Sequence, residues 1–160
     1  MVVITVIIVI AAVGIILLIG EKEKPVGEYA EYGITGSYGA TTFDGTMRVT
    51  IVSEKSNQYK VETKYELYQT VGGVRTLLAD ENETEWQDKN DYADIGIKTE
   101  STTITAKWGA KTVDVYTDTK DGRTTTTYIG VDDGVPYRLV SLEAGLTLTF
   151  DLKDTNATTF

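Results

Sequence analysis

Residues 59–67 read YKVETKYEL, and side chains of opposite character alternate through them without a break. Tyr59, Val61, Thr63, Tyr65 and Leu67 fall on one side, and Lys60, Glu62, Lys64 and Glu66 on the other. A period of two is the repeat of a β-strand, and the charged side marks a face turned to water. The pattern predicts a half-buried antiparallel strand. It recurs in both directions along the chain. Met47, Val49 and Ile51 alternate with Arg48 and Thr50; Leu146, Leu148, Phe150 and Leu152 alternate with Thr147, Thr149 and Asp151. Further strands are expected at 28–35, 73–79, 93–98, 101–108, 111–118, 123–130 and 136–142.

The breaks between these runs carry turn chemistry. Asp44-Gly45, Gly72-Gly73, Trp108-Gly109, Asp121-Gly122, Asp132-Asp133-Gly134 and Ala144-Gly145 all interrupt alternating stretches. Asp121-Gly122, between Val115 and Tyr128, is the strongest hairpin signal. Residues 80–92 form the longest polar stretch and predict a loop, with Trp86 placed to pin it to the body. About nine short strands without helical interruption imply a sandwich or barrel.

The amino-terminal end has a different chemistry. Residues 1–20 read MVVITVIIVIAAVGIILLIG, with Thr5 the one hydroxylated residue and no charge before Glu21. As a helix this stretch would span roughly 30 Å, enough to cross a bilayer core. It is apolar all round, so it needs lipid or protein on every side. Ala11, Ala12 and Gly14 would let a neighbouring helix approach closely. The expected fold class is therefore α+β: one N-terminal hydrophobic helix followed by an all-antiparallel β-sandwich or barrel-like domain. The expected division is a helix over 1–24, a hinge over 25–27 and the β-domain over 28–160. Pro25 disfavours helix at Lys24, and Gly27 adds a joint, so these two residues are the candidate hinge. No positive residue precedes the apolar segment, and no A-x-A-like site follows it. Two origins fit: an anchor beginning at the initiator Met1, or a mature end left by removal of a charged leader.

Composition narrows the function. The chain has 24 acidic and 15 basic residues, a formal net charge of -9. Phosphates would be repelled, which argues against a nucleic-acid partner, and a polybasic contact with anionic lipid is equally disfavoured. The sequence contains no Cys and no His. Disulfides, thiol chemistry and His-based triads are therefore closed to it, and the commonest general base and metal ligand is missing. Carboxylates gather at Asp88, Asp91 and Asp94, at Asp118 and Asp121, and at Asp132 and Asp133, but none matches the calcium-loop spacing. No catalytic, cofactor-binding or metal-binding residue is assigned, no cofactor is expected, and the chain is read as not an enzyme. Asn82-Glu83-Thr84 and Asn156-Ala157-Thr158 are sequons, making Asn82 and Asn156 the candidate glycosylation sites of an extracellular glycoprotein. The threonine run 124–127 suits a strand better than O-glycosylation.

The layout of apolar segment 1–20, hinge at Pro25 and modest β-domain resembles an archaeal type IV-like pilin, the family of adhesion-pilus and archaellum-related filament subunits. Bacterial pilins carry a glutamate at the fifth mature position; here Thr5 stands there. The resemblance implies a structural protein of the cell surface that self-assembles into a helical filament. It implies a bundled helix core built on Ile4, Ile7, Ile8, Ala11, Gly14, Ile15 and Leu18, with the β-domains outside. Its partners would be copies of itself, with the membrane as host before assembly. The alternative expectation is a single-pass, membrane-anchored extracytoplasmic β-domain, acting as a binding module or as an accessory subunit of a membrane complex.

Overall fold

The computed structural model describes residues 24–89 and 94–157. Nine β-strands occupy them: β1 (Tyr29–Tyr38), β2 (Thr41–Lys55), β3 (Gln58–Val71), β4 (Val74–Asp88), β5 (Ile97–Ala106), β6 (Gly109–Lys120), β7 (Arg123–Gly130), β8 (Pro136–Glu143) and β9 (Leu146–Thr155). All pair antiparallel in one sheet, ordered β4-β3-β2-β1-β9-β8-β7-β6-β5. The arrangement is two meanders joined where the last strand, β9, returns beside the first.

This corrects the expected α+β class. The described residues are all-β, and none of them forms a helix long and apolar enough to cross a membrane. The hydrophobic helix expected over 1–24 and the transmembrane span expected over 1–20 therefore have no counterpart there, and residues 1–23 lie outside the described set. The expected sandwich or closed barrel is likewise replaced by one open sheet, because β4 and β5 each pair on one side only among the described residues. Two local readings change with it. Most of the polar stretch expected to loop is the edge strand β4, and Asp44-Gly45 is interior to β2. Gly45 is there for proximity: a Cβ at that position would strike the Glu66 carbonyl oxygen of β3. The Asp121-Gly122 hairpin does close β6 onto β7, with both residues at positive φ as a tight hairpin turn requires.

Register shows how the core is made. Residues paired across strands share a face. One row runs Ala79, Leu67, Gly45, Ile34, Phe150, Leu139 and Thr127 from β4 to β7. It is apolar or buried throughout, apart from the glycine. The adjacent row runs Asp80, Glu66, Thr46, Gly33, Asp151, Arg138 and Tyr128, and it is largely polar. Beyond Tyr128 the second row reaches buried Val115. The apolar side thus changes faces at β7. The outer hairpin β5–β6 then folds back, and Ile104 and Ala106 of β5 pack against the main core. Trp108 in its turn meets the Tyr137 ring edge-on at 6.4 Å, and Lys107 reaches Asp154 of β9 at 3.5 Å.

The main core joins Tyr32, Met47, Ile51, Leu67, Leu139, Leu148 and Phe150, all fully buried. The Tyr32 hydroxyl, carried into this interior, donates to the Pro136 carbonyl at 3.0 Å, so its one polar atom is satisfied. Phe150 sits midway across the sheet, paired with Ile34 on one side and Leu139 on the other. Phe150→Ala should cost about 3–5 kcal/mol through lost transfer energy and a residual cavity. Chemical denaturation followed by tryptophan fluorescence reads this loss; a cost under about 1 kcal/mol would place Phe150 outside the core.

Candidate functional site

The passage from Lys24 to the start of β1 at Tyr29 is bonded to β2, β3 and the carboxy-terminal end. The Lys24 backbone N–H donates to the Tyr59 hydroxyl of β3 at 2.9 Å. Gly27 N–H donates to the Ile51 carbonyl at 2.7 Å, and Ile51 N–H returns a bond to Glu28 at 2.9 Å. From the far end of the chain, the Asn156 side chain accepts from Tyr29 N–H at 2.8 Å and donates to the Gly27 carbonyl at 3.0 Å. Gly27 has φ +95, a conformation glycine takes without steric cost. The structure thus places the candidate hinge residues Pro25 and Gly27 in a turn bonded to β2 and to the carboxy-terminal end.

Lys24 and Glu28 are the charged side chains buried among the described residues, at 4% and 8% exposure. Their charged atoms face each other at 3.8 Å, an ion-pair contact longer than a hydrogen bond. Burial pushes the Lys24 ammonium down to about 8, against the opposing pull of the Glu28 carboxylate. Burial likewise raises Glu28, and Lys24 opposes it. Both shifts say that the charged forms lose more solvation than the pair returns. Nothing in the motif EKEKPVGE announces this, since alternating charge next to a proline reads as a solvated exit.

The other expected positions are scattered. Ile4, Ile7, Ile8, Ala11, Gly14, Ile15 and Leu18 lie outside the described residues. Asn82 is exposed on edge strand β4, its amide 3.4 Å from Glu62. Asn156 is exposed too, yet both ends of its amide are engaged in the amino-terminal clamp, so a glycan there would crowd Gly27. The threonines 124–127 lie on β7, and Thr127 is buried. Asp133 is structural: it accepts from Val135 N–H and, at 2.7 Å, from the Tyr137 hydroxyl. Among the described residues no group of three or more acidic side chains is placed to hold a metal ion.

Clefts on the sheet are shallow. One of about 370 Å³ is lined by Glu31, Arg48, Lys64, Glu66, Asp80 and Glu81. Its cations already have partners: Arg48 reaches Glu31 at 3.7 Å and Lys64 reaches Glu62 at 3.0 Å. The Lys64 bond holds the Glu62 carboxyl below its ordinary range. A neighbouring cleft, also about 370 Å³, has Arg75 stacked 3.4 Å over Tyr68 and paired with Asp44 at 2.6 Å. These networks satisfy themselves and present no activated nucleophile or base.

No family model matches the chain, and no curated protein matches it. Among solved structures it is similar to a hypothetical protein from Chlamydia trachomatis, at 10% identity and a TM-score of 0.35, covering 85% of this chain and 89% of that one.

The Lys24–Glu28 pair carries a signed pH dependence. Lys24 takes its proton at about 8 when folded and at 10.5 when unfolded, so between those values the unfolded chain binds more protons. Stability relative to a Lys24→Met/Glu28→Leu variant should therefore be highest above pH 10.5. It should fall as pH drops to 8, by up to about 3 kcal/mol. Unfolding curves of both proteins across this window test it, and a constant difference would refute it.

Proposed function

We propose that the chain is a non-enzymatic structural subunit of an extracellular helical filament. It polymerises through its apolar segment, residues 1–20, with the β-domain on the outside. The observation that carries the reading is the abrupt division of chemistry at one clamped junction. Twenty residues without a charge end at Glu21. A few residues later the chain is bonded to β2, β3 and the carboxy-terminal end. A pull on the segment is thereby passed into the sheet as well as into the backbone link. That is a useful property in a subunit whose one end is embedded and whose other end meets solvent.

The physical logic is consistent. An all-round apolar segment is satisfied by lipid before assembly and by identical segments afterwards, because both are apolar surroundings. Repetition of one contact by a rotation that does not close produces a filament. A net charge of -9 on the outer domains keeps neighbouring filaments apart in solution. Copies of the chain are the partner, the cell surface is the location, and nucleic acid has no part.

Val9→Lys should abolish assembly in electron micrographs of the native particle, since an unpaired charge inside a packed apolar bundle is strongly disfavoured. Filaments persisting unchanged in that variant would dismiss the segment as the assembling element. Mass spectrometry of the native amino terminus gives an independent reading. A gene product cut just before Met1 would favour the filament subunit. An uncut initiator Met1 with discrete particles would favour the membrane-anchored module.

A further inference from the structure

Two register rows of the sheet form an uncharged surface unlike the rest of this acidic protein. One register row passes from Ile97 of β5 through Thr117, Thr126, Val140 and Thr149 to Thr35 of β1. The next row passes through Thr119, Thr124, Leu142, Thr147 and Ser37. Thr119 and Thr124 hydroxyls are 3.2 Å apart, as side chains on one face should be. Neither row contains a charge until β2, where Asp44 closes the first row and is held by Arg75. The sheet irregularities at Glu31/Tyr32, Lys98/Glu100 and Tyr128/Ile129 all fall outside these rows, so the array is regular. Of its apolar members, Ile97 is 78% exposed and Leu142 48%, while Val140 is half-buried.

We propose that this face docks against the same face of a second copy of the chain. Charge selects the occupant. In a two-fold contact each surface meets its own image, so any net charge on the patch meets a like charge. With a formal net charge of -9, an uncharged patch is where two copies approach without that penalty. Exposed Ile97 and Leu142 supply the apolar contact, and the threonines exchange hydroxyl bonds across it. One row across six strands and one across five cover roughly 400 Å² per copy, from a strand spacing of about 4.8 Å and a rise of about 3.4 Å per residue. Both copies together bury about 800 Å², less than the roughly 1,200 Å² of a stable free dimer. The contact is therefore weak alone and is filled where copies are already crowded together. That crowding is what the filament reading provides, and the contact rests on it for occupancy.

The chain has no Cys, so a single introduced thiol reports one contact. Leu142 lies on β8, near the middle of the array, where a two-fold axis would bring it near its own copy. Full-length Leu142→Cys, in native particles and in detergent micelles, should form disulfide-linked dimers under mild oxidation. Lys64→Cys, exposed on the charged part of the sheet, should cross-link far more slowly. Adding Thr126→Lys and Thr149→Lys to Leu142→Cys should slow the cross-link by about tenfold or more, since like charges would then face each other. Equal rates for Leu142→Cys and Lys64→Cys, or indifference to the added lysines, would overturn the contact. Filaments that assemble without the Leu142 cross-link would remove this inference alone. Dimers without filaments would remove the filament reading and keep the contact.

Discussion

Strict alternation gives each strand one apolar side, and keeping water off those sides is the constraint to which the rest of the fold answers. The row from Ala79 to Thr127 crosses seven strands on one side of the sheet. No helix among the described residues is present to cover it. The sheet must curl on itself, because Met47, Leu67, Leu139 and Phe150 are fully buried with no other described element to cover them. Each large side chain buried in this way contributes about 1.5–3 kcal/mol, so the curl is set by burial of area more than by any single polar bond.

Curling leaves two outer strands whose unpaired backbone groups invite further pairing. The edges answer differently. On β4, Glu81, Glu83 and Glu85 pair with Tyr65, Thr63 and Val61, which puts three carboxylates on the core-side face of the edge. An incoming strand would have to bring its own apolar face against them. Burial raises the Tyr65 hydroxyl, and the Glu83 and Glu81 carboxylates push it the same way. The β5 edge uses geometry, since its hairpin folds back onto β8 and β9 through Trp108 and Lys107. Charge guards one edge, and the turn of the other is fastened back to the sheet.

The junction at Lys24 shows local sequence and tertiary structure disagreeing for a physical reason. Proline, glycine and alternating charge are the composition of a solvated joint. Yet Tyr59, Ile51 and Asn156 together supply hydrogen-bonding groups from β3, β2 and the carboxy-terminal end. Once those groups satisfy the backbone, the Lys24 and Glu28 side chains are carried out of water with it. The proposed filament role and the uncharged outer face are linked to the same domain in opposite ways. The first depends on what happens at one end of the chain, the second on what the sheet leaves uncovered.

The residues by themselves determined most of the strands and several turns. Tyr59–Leu67 alternates because one side is buried, and Asp121-Gly122 turns because both positions take positive φ. They also carried the chemistry of residues 1–20 and the absence of His and Cys, features that need no partner to be legible. Only the tertiary structure decided that the strands form one open sheet in place of two packed ones. Alternation says which side chains are buried but not against what. It decided that polar residues 80–88 form an edge strand, because the acidic side chains that argue for a loop also guard an edge. It decided that Gly45 lies within β2, since close approach to the Glu66 carbonyl is a contact with a different strand. It decided too that two rows of threonine, Val140 and Leu142 lie side by side. Register joins residues more than a hundred positions apart, and no local pattern records that distance.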